Sequence, residues 1–600
     1  MKKMTKSVLA CGLLACMAVS LSACGNSDGR TTLDFQFTGE SAVQAVFWDC
    51  IDAYNDTQGK EDNIKIRGLN VPDKDNKEKL RSVMSSSSGP DVAVANDRYF
   101  KLYINNYLDI TDLVSQSVTN GLYPSQEIRY HYNSEKTTSN KTDPLYGLPV
   151  YNDPTVLFYN KTAIENTGII CISVDETELD AFNAGAKDHN GKTKKDYGIP
   201  DSVTVVNKGF YRTKPYVPNE GERDGSVWKK PAAGELMIFN EKIACNWDEI
   251  EDLGLVCTSV KNAAAKTTYG YYTEWWFNYG WSVGGDCLED LDGNGDWVYS
   301  HADETPNYIV KDGQTYVGAY TGTEYTAGET LDIKDILNAG KTDKISYNTE
   351  NGKTFYYTVN GNRATIRAQV EDEAEKTDGK LQELPSIYDA FSRFCFLSAK
   401  GGLGVCPSPA VFNNTPSSSY FAQGELALLV EQYSKADTFN KRCKFDWGVA
   451  KMPQYKTYTD PENPDCDEVA AVGTSASHSE GYSVVIRKNT EYQAEAIKFI
   501  EWLTTEGQKI FAKKGFGSVC KADAQLVGEK ITEIFKINNA EAITTSLNRA
   551  QAGDWWYLRD DAWIDIWSIP LNTKVRKGIM TFDQYIYAYI EQTNTKLLNY

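Results

Sequence analysis

Between Thr32 and Ala95 the hydrophobic period switches repeatedly between that of a strand and that of a helix, and this order confines the chain to an α/β sheet of parallel strands. Thr32-Leu-Asp-Phe-Gln-Phe-Thr38 alternates as a half-buried strand does. Gly39-Glu40-Ser41 breaks it, and Ser41 is placed to cap an amphipathic helix from Ala42 to Asn55. A second strand is predicted from Asn63 to Val71 and a helix from Asp75 to Ser88. After the Gly89-Pro90 stop, a short buried strand is predicted from Asp91 to Ala95. Sheets of this kind bind ligands beyond the carboxyl ends of their strands. Glu40, after the first strand, and Asp97 and Arg98, after the third, are therefore expected on one rim.

At 600 residues a single core is not expected, and at least two lobes are predicted. The N-terminus reads as an address: Lys2, Lys3 and Lys6 precede an apolar run from Val8 to Leu21. That run falls short of the roughly 20 apolar residues that span a bilayer. It ends in Leu21-Ser22-Ala23-Cys24, which resembles the lipobox of bacterial lipoproteins. The resemblance implies a signal peptide over 1–23, a lipid on Cys24, and a tether over 24–31 that holds the body at the outer face of a membrane. Acidic residues number 82 against 62 basic ones, a formal net charge of −20, so phosphate backbones would repel the chain and nucleic acid is excluded as a partner. Ten cysteines follow Cys24 with no CxxC pair and no zinc-type Cys/His spacing, and no disulfide can be assigned from them.

Six ordered landmarks over about 400 residues carry a wider resemblance. Gly89-Pro-Asp-Val-Ala-Val-Ala-Asn-Asp97-Arg98-Tyr99, with Leu108-Asp-Ile-Thr-Asp-Leu113, resembles the early signature of the extracellular solute-binding protein family 1, the maltose- and maltodextrin-binding-like sugar receptors of ABC importers. Tyr146-Gly-Leu-Pro-Val-Tyr-Asn-Asp153 with Leu157-Phe-Tyr-Asn-Lys161 is similar to its hinge strand, and Asn246-Trp-Asp-Glu249 to a helix start. Phe421-Ala-Gln-Gly-Glu-Leu-Ala-Leu-Leu-Val430, Phe445-Asp-Trp-Gly-Val-Ala-Lys-Met-Pro453, and Gly481-Tyr-Ser-Val-Val-Ile486 with Ala494-Ile-Lys-Phe-Ile-Glu-Trp-Leu503 complete the series.

The resemblance implies a two-lobed periplasmic-binding-protein-like fold of type II. The N-terminal lobe is expected over 32–150 and about 435–520, and the C-terminal lobe over 151–434 and about 521–600. Hinges are expected near Val150, Tyr433 and Lys521. It further implies ligand contacts at Asp97 and Arg98, at Tyr151, Asn152 and Asp153 beside the hinge, and at Glu431, Gln432 and Tyr433 after a strand ending at Val430. The chain exceeds the family's usual length, and the excess falls in two blocks, about 174–230 and 286–380. Hairpin signals at Asp292-Gly293, Asp312-Gly313, Asn351-Gly352 and Asn360-Gly361 suggest β-rich insertions in the second lobe.

Tyr271-Tyr-Thr-Glu-Trp-Trp-Phe-Asn-Tyr-Gly-Trp-Ser-Val-Gly-Gly285 is the richest aromatic run. Flat rings cover the C–H faces of sugars, and carboxylates, amides and guanidinium groups satisfy the hydroxyls. Trp275, Trp276 and Trp281 are candidate stacking residues, although their helical spacing also suits a core. Trp563 and Trp567 are the late candidates, with Trp555 and Trp556 nearby. No GxSxG or HExxH motif is present, and none of the four histidines has a triad context, so the chain is not expected to be an enzyme. Asp290, Asp292, Asn294 and Asp296 resemble the front of a calcium loop whose twelfth place is His301 instead of an acid, and a hairpin turn explains the run equally well. The expected function is capture of an oligosaccharide or glycoside by a lipid-anchored monomer, without a cofactor, for delivery to a permease pair. The rival readings are a lipid-anchored glycan-degrading enzyme and a receptor for another solute such as a peptide.

Overall fold

The computed structural model describes residues 29–214, 233–290, 297–303, 306–318, 322–331, 346–350, 353–360, 363–365, 379–398, 402–412, 415–553, 558–559 and 561–597. The opening alternation folds as its period dictates: β1 (Thr31–Phe37), α1 (Ser41–Asp56), β2 (Ile64–Asn70), α2 (Asp73–Met84) and β3 (Val92–Asn96). β1 lies parallel to both β2 and β3. Leu33, Phe35 and Phe37 point into a core with Val43, Phe47 and Ile51 of α1, and Phe499 meets Phe35 edge-on at 5.2 Å. Ser41 is the first residue of α1 and not its cap. Glu40 takes the cap position without a side-chain hydrogen bond to the helix N–H groups, and the Gln44 amide donates to the Gly39 carbonyl at 2.6 Å.

The next strand, β4 (Gly147–Asn160), is 14 residues long and joins the lobes. Further along come α3 (Trp247–Cys257), β5 (Tyr269–Tyr272), β6 (Leu426–Gln432), β7 (Trp447–Ala450) and β8 (Ser477–Ile486). One nine-stranded sheet runs in the order β2-β1-β3-β8-β4-β6-β5, with β7 on β4 and Ala550–Gln551 on β8. Residues 147–154 of β4 pair antiparallel with β8, whereas 155–160 pair with β6 and β7. Leu148 and Val150 pack in the first core, and Val156, Leu157 and Phe158 in the second. The lobes therefore divide a single strand between them.

β8 makes the second crossing: Ala476 belongs to the second core, and Tyr482 to Ile486 pair with β3 in the first. The stretch 436–476 accordingly packs in the second lobe and not in the first, where the sequence reading placed it. β7 is bound to the second half of β4, and Phe439 meets Phe158 edge-on at 4.8 Å. A third crossing follows Cys520 in the first core and precedes Val527 in the second.

The second lobe carries both extra blocks. The described part of the first holds a short helix, Leu179–Asn183, and a single strand, Phe210–Arg212, so it is not β-rich. Its apolar side chains form their own cluster around Val174, Phe182 and Ile238. The described strands of the second block include several hairpins. Glu350 pairs with Lys353 across Asn351-Gly352, and Asn360 with Arg363 across the next dipeptide. Asp312-Gly313 closes no hairpin, because Asn307–Val310 pairs with Leu381–Leu384 instead. Among the described residues no helix is long and apolar enough to cross a membrane.

α3 starts where the family resemblance placed a helix start, and it does so with a capping box: the Asn246 side chain accepts from the Glu249 N–H at 2.8 Å, and Glu249 accepts from the Asn246 N–H at 3.1 Å. The helix then lies directly on β5. A Cβ at Gly270 would stand 1.8 Å from the Gly254 carbonyl oxygen, which leaves room for hydrogen alone. Gly270→Ala is predicted to cost about 3 kcal/mol, at the upper end of overpacking penalties. Gly121→Ala, with nothing within 4 Å of the added carbon, should keep stability or raise it by up to about 1 kcal/mol. Urea unfolding of the two variants checks this, and equal midpoints would contradict the close helix–strand packing.

Candidate functional site

A cavity of about 500 Å³ opens where the carboxyl end of β3, the start of β8 and the end of β6 converge. At the end of β3 the Asn96 side chain accepts from the Arg98 N–H at 2.9 Å and starts a single helical turn. That turn sends the two neighbouring residues in opposite directions. Asp97 turns inward, where Arg129 donates to it at 2.8 Å and Tyr130 at 2.6 Å. Arg98 turns outward into the cavity and meets Asp561 of the second lobe at 2.8 Å. A second ion pair, Lys435 with Glu40 at 2.8 Å, also bridges the lobes. Such partly exposed pairs each contribute about 0–1 kcal/mol, small enough to open and close.

The opposite wall comes from the aromatic run. Trp275 and Phe277 are stacked with centroids 5.9 Å apart and both line the cavity, with Glu274 and Asn278 beside them. Phe277 in turn stacks on Trp281 at 4.3 Å and on His478 of β8 at 4.8 Å. Burial, with the Arg129 and Arg98 charges nearby, pushes the His478 imidazole down to about 3, so the ring in this stack is neutral.

Carboxylates complete the lining: Glu274, Glu431, Glu480, Asp561 and Asp565. The Ser417 hydroxyl donates to Glu431 at 2.7 Å. Glu274 is solvent-accessible yet recessed in the cleft; loss of water around it, then the charges of Glu431 and Glu480, push its carboxyl up. Glu480 is pushed up chiefly by burial, with a hydrogen bond to Gln432 and the Arg98 charge offsetting part of the effect. The cavity thus offers ring faces, acceptors and one guanidinium, an arrangement suited to a neutral or cationic solute rich in hydroxyl or amino groups.

The chain matches the model of the bacterial extracellular solute-binding protein family over residues 36–282 and 396–510. It belongs to that family. The match leaves out 283–395, a span that contains the second extra block of this solute-binding protein. Among curated proteins no sequence matches it. Solved structures share its fold at low identity. The Arthrobacter globiformis cyclic alpha-maltosyl-1,6-maltose binding protein has a TM-score of 0.54 at 12% identity, covering 95% of this chain and 99% of its own. The Listeria monocytogenes ABC substrate-binding protein Lmo0181, solved with cycloalternan, has a TM-score of 0.51 at 13% identity with the same coverage. The Rhizobium etli sugar transporter RHE_PF00321, in an open conformation, scores 0.51 at 14% identity, covering 94% and 99%.

Of the residues singled out in the sequence, Arg98, Trp275, Glu431 and Gln432 come together on the cavity wall of the solute-binding protein. The others do not line it. Glu40 sits on the rim, paired with Lys435. Tyr151 packs against Tyr482 and Phe511 in the first core, and Asn152 is buried in the hinge strand. Tyr433 is buried and donates to the Gly515 carbonyl at 2.8 Å. Trp276, Trp563 and Trp567 are fully buried in the second core, so the core reading of those rings is the one the packing follows. Trp281 lies behind Phe277. Of the calcium-loop candidates, Asp290 ends a short strand paired with Trp297, while Asp292, Asn294 and Asp296 lie outside the described residues, as does Cys24. His301 is buried, stacked on Phe391 at 3.8 Å and within 2.8 Å of the Tyr299 hydroxyl, and burial holds its imidazole well below its usual pKa.

The sequence reading missed Asp561, Ile564, Asp565 and Ser568, whose spacing of three, four and seven places them on one helical face toward the cavity while Trp563 and Trp567 face inward. It also missed Glu274, Phe277 and Asn278 inside the aromatic run, and His478 and Glu480, for which only strand alternation across β8 gave a signal. Among the described residues, Asp175, Glu178 and His189 form one group with metal-ligand reach. The His189 Nε2 lies 2.8 Å from both acids and Lys242 lies 3.1 Å from Asp175, so internal ion pairing accounts for the cluster.

Asp153 lies in β4 opposite Glu480 and accepts from the Ser434 N–H at 2.9 Å. Burial raises its carboxyl from 3.8 to about 7, against the smaller opposing effects of Ser434 and Lys435. The folded protein therefore keeps a proton there that the unfolded chain has released, and this group's contribution to stability falls as pH rises from about 4 to 7. Asp153→Asn is predicted to flatten that decline, gaining on the parent by about 1.4 kcal/mol for each pH unit across the window. Unfolding free energies from pH 4 to 8 check this, and parallel curves for parent and variant would place the Asp153 carboxylate in water.

Proposed function

We propose that this solute-binding protein captures a carbohydrate, an oligosaccharide or glycoside, between its lobes and presents it unchanged to the permease subunits of an ABC importer. The observation that carries the reading is the pairing of the Trp275 and Phe277 faces with Arg98, Asn278, Gln432 and the carboxylates around one cavity. A sugar needs both a flat apolar cover and hydroxyl partners that donate and accept, and this wall supplies both. Two structural relatives described as bound to, or binding, cycloalternan and cyclic alpha-maltosyl-1,6-maltose support the solute class.

Cys24 gives the capture protein its tether. Its lipobox-like setting fits a diacylglyceryl anchor on the outer face of a Gram-positive cell membrane, where two acyl chains hold a protein that would otherwise diffuse from its importer. The body acts as a monomer, because one copy contains both walls of the cavity.

A thermal-shift screen over oligosaccharides, peptides and polyamines tests the reading. A sugar should raise the midpoint in proportion to the logarithm of its concentration, with no shorter product in the mixture. Trp275→Ala should weaken that sugar by about tenfold or more, on the scale of a lost ring contact, with the unliganded midpoint kept. A response confined to peptides or amines, or release of cleaved sugar, contradicts it.

A further inference from the structure

We infer that the carbohydrate held in the cleft is basic, an oligosaccharide of amino sugars whose free ammonium groups sit among Glu274, Glu431 and Glu480. This rests on the carbohydrate reading above and names the chemistry of its solute. Five carboxylates line the cavity against one guanidinium, and that one, Arg98, is already engaged with Asp561. Among the described residues no lysine or arginine forms an ion pair with Glu274, Glu431, Glu480 or Asp565. Two further cations stand near these acids, and both are held elsewhere. Lys435 pairs with Glu40 at 2.8 Å, and Arg576, only 1% exposed, donates to the backbone carbonyls of Thr273, Glu274 and Pro407. His478, the other titratable ring of the wall, is neutral.

The acids are close enough to oppose one another's ionisation, since the charges of Glu431 and Glu480 both push the Glu274 carboxyl up. A neutral solute leaves that repulsion in place and, as the lobes close, removes the water that screens it. An ammonium group relieves both costs, because it carries the opposite charge and donates three hydrogen bonds. A second observation points to a polar solute in the same space. Ser568 lines the cavity on a residue only 6% exposed, and its hydroxyl has no hydrogen-bond partner among the described residues although the oxygen is not sealed from the cavity. Hydroxyls so deeply placed normally find a partner. The Trp275 and Phe277 faces cover a sugar ring, and their π-clouds attract an ammonium carried on it. A linear polyamine brings no ring to these faces, and an acidic sugar or a phosphate is repelled by the carboxylates. The formal net charge of −20 draws cations toward the protein as well.

Calorimetric titration of the full chain at about pH 6, where amines are charged and ordinary carboxylates ionised, tests the inference. The probes are the glucosamine tetramer of chitosan, cellotetraose, which has the same backbone with a hydroxyl for each amine, and maltotetraose. The glucosamine tetramer should be held about tenfold tighter than either neutral sugar. Raising the salt from about 0.02 M to about 0.5 M should reduce that preference by about threefold or more. Glu431→Gln, which keeps an acceptor for the Ser417 hydroxyl and removes the charge, should reduce it about tenfold. The salt series needs no substitution and decides the matter if the variant fails to fold. A neutral tetramer held as tightly as the amino sugar, or a preference that neither salt nor Glu431→Gln reduces, overturns the basic solute and leaves the carbohydrate reading intact. Failure of all three sugars to bind overturns the carbohydrate reading, and the basic solute with it.

Discussion

The hydrogen-bonded ladder along β4 is the constraint on which the other features depend. Its first half completes the sheet of one lobe through β8, and its second half completes the other through β6 and β7. Backbone N–H and C=O groups in a buried strand must be paired, so neither lobe can lose its share of β4 without exposing a row of orphaned groups. Both lobes are thereby fixed to a common axis. The cavity forms beside that axis, where strands end and side chains from the two halves meet.

The chemistry at the cleft follows from this placement. Residues near the crossing are shielded by both lobes, which is why Asp153 holds its proton up to about pH 7 and why Glu480 is also raised. Arg98 and Asp561 reach across from opposite sides, and their ion pair closes the gap without locking it. The Asp97–Arg129 pair differs in kind. Both groups are buried, and removing one partner of such a pair costs about 3–5 kcal/mol, so this pair holds the loop that aims Arg98.

Much of the first lobe could be read from period alone, because one buried face per element forces a regular pattern. The helix start at Asn246 was legible through the family resemblance, and the capping box found there is local chemistry. The site was legible only in part. Neighbours such as Asp97 and Arg98 diverge because Arg129, 32 residues later, draws one of them inward. Trp563 and Trp567 carried the conspicuous ring chemistry, yet the second core absorbs them and leaves Asp561 and Asp565 for the cleft. Spacing on that helix held the answer, but residue type pointed the other way. The return of the chain at β8 instead of near residue 435 depends on the pairing of β7 with β4, a contact across almost 300 residues that no local pattern encodes.

The central claim is that a solute is held between two lobes hinged on β4. Small-angle X-ray scattering with and without a saturating oligosaccharide measures it most directly. Hinge closure predicts a smaller radius of gyration and a narrower distance distribution when sugar is bound. An unchanged profile under conditions where calorimetry shows full occupancy would contradict the account and put the bound sugar outside the cleft.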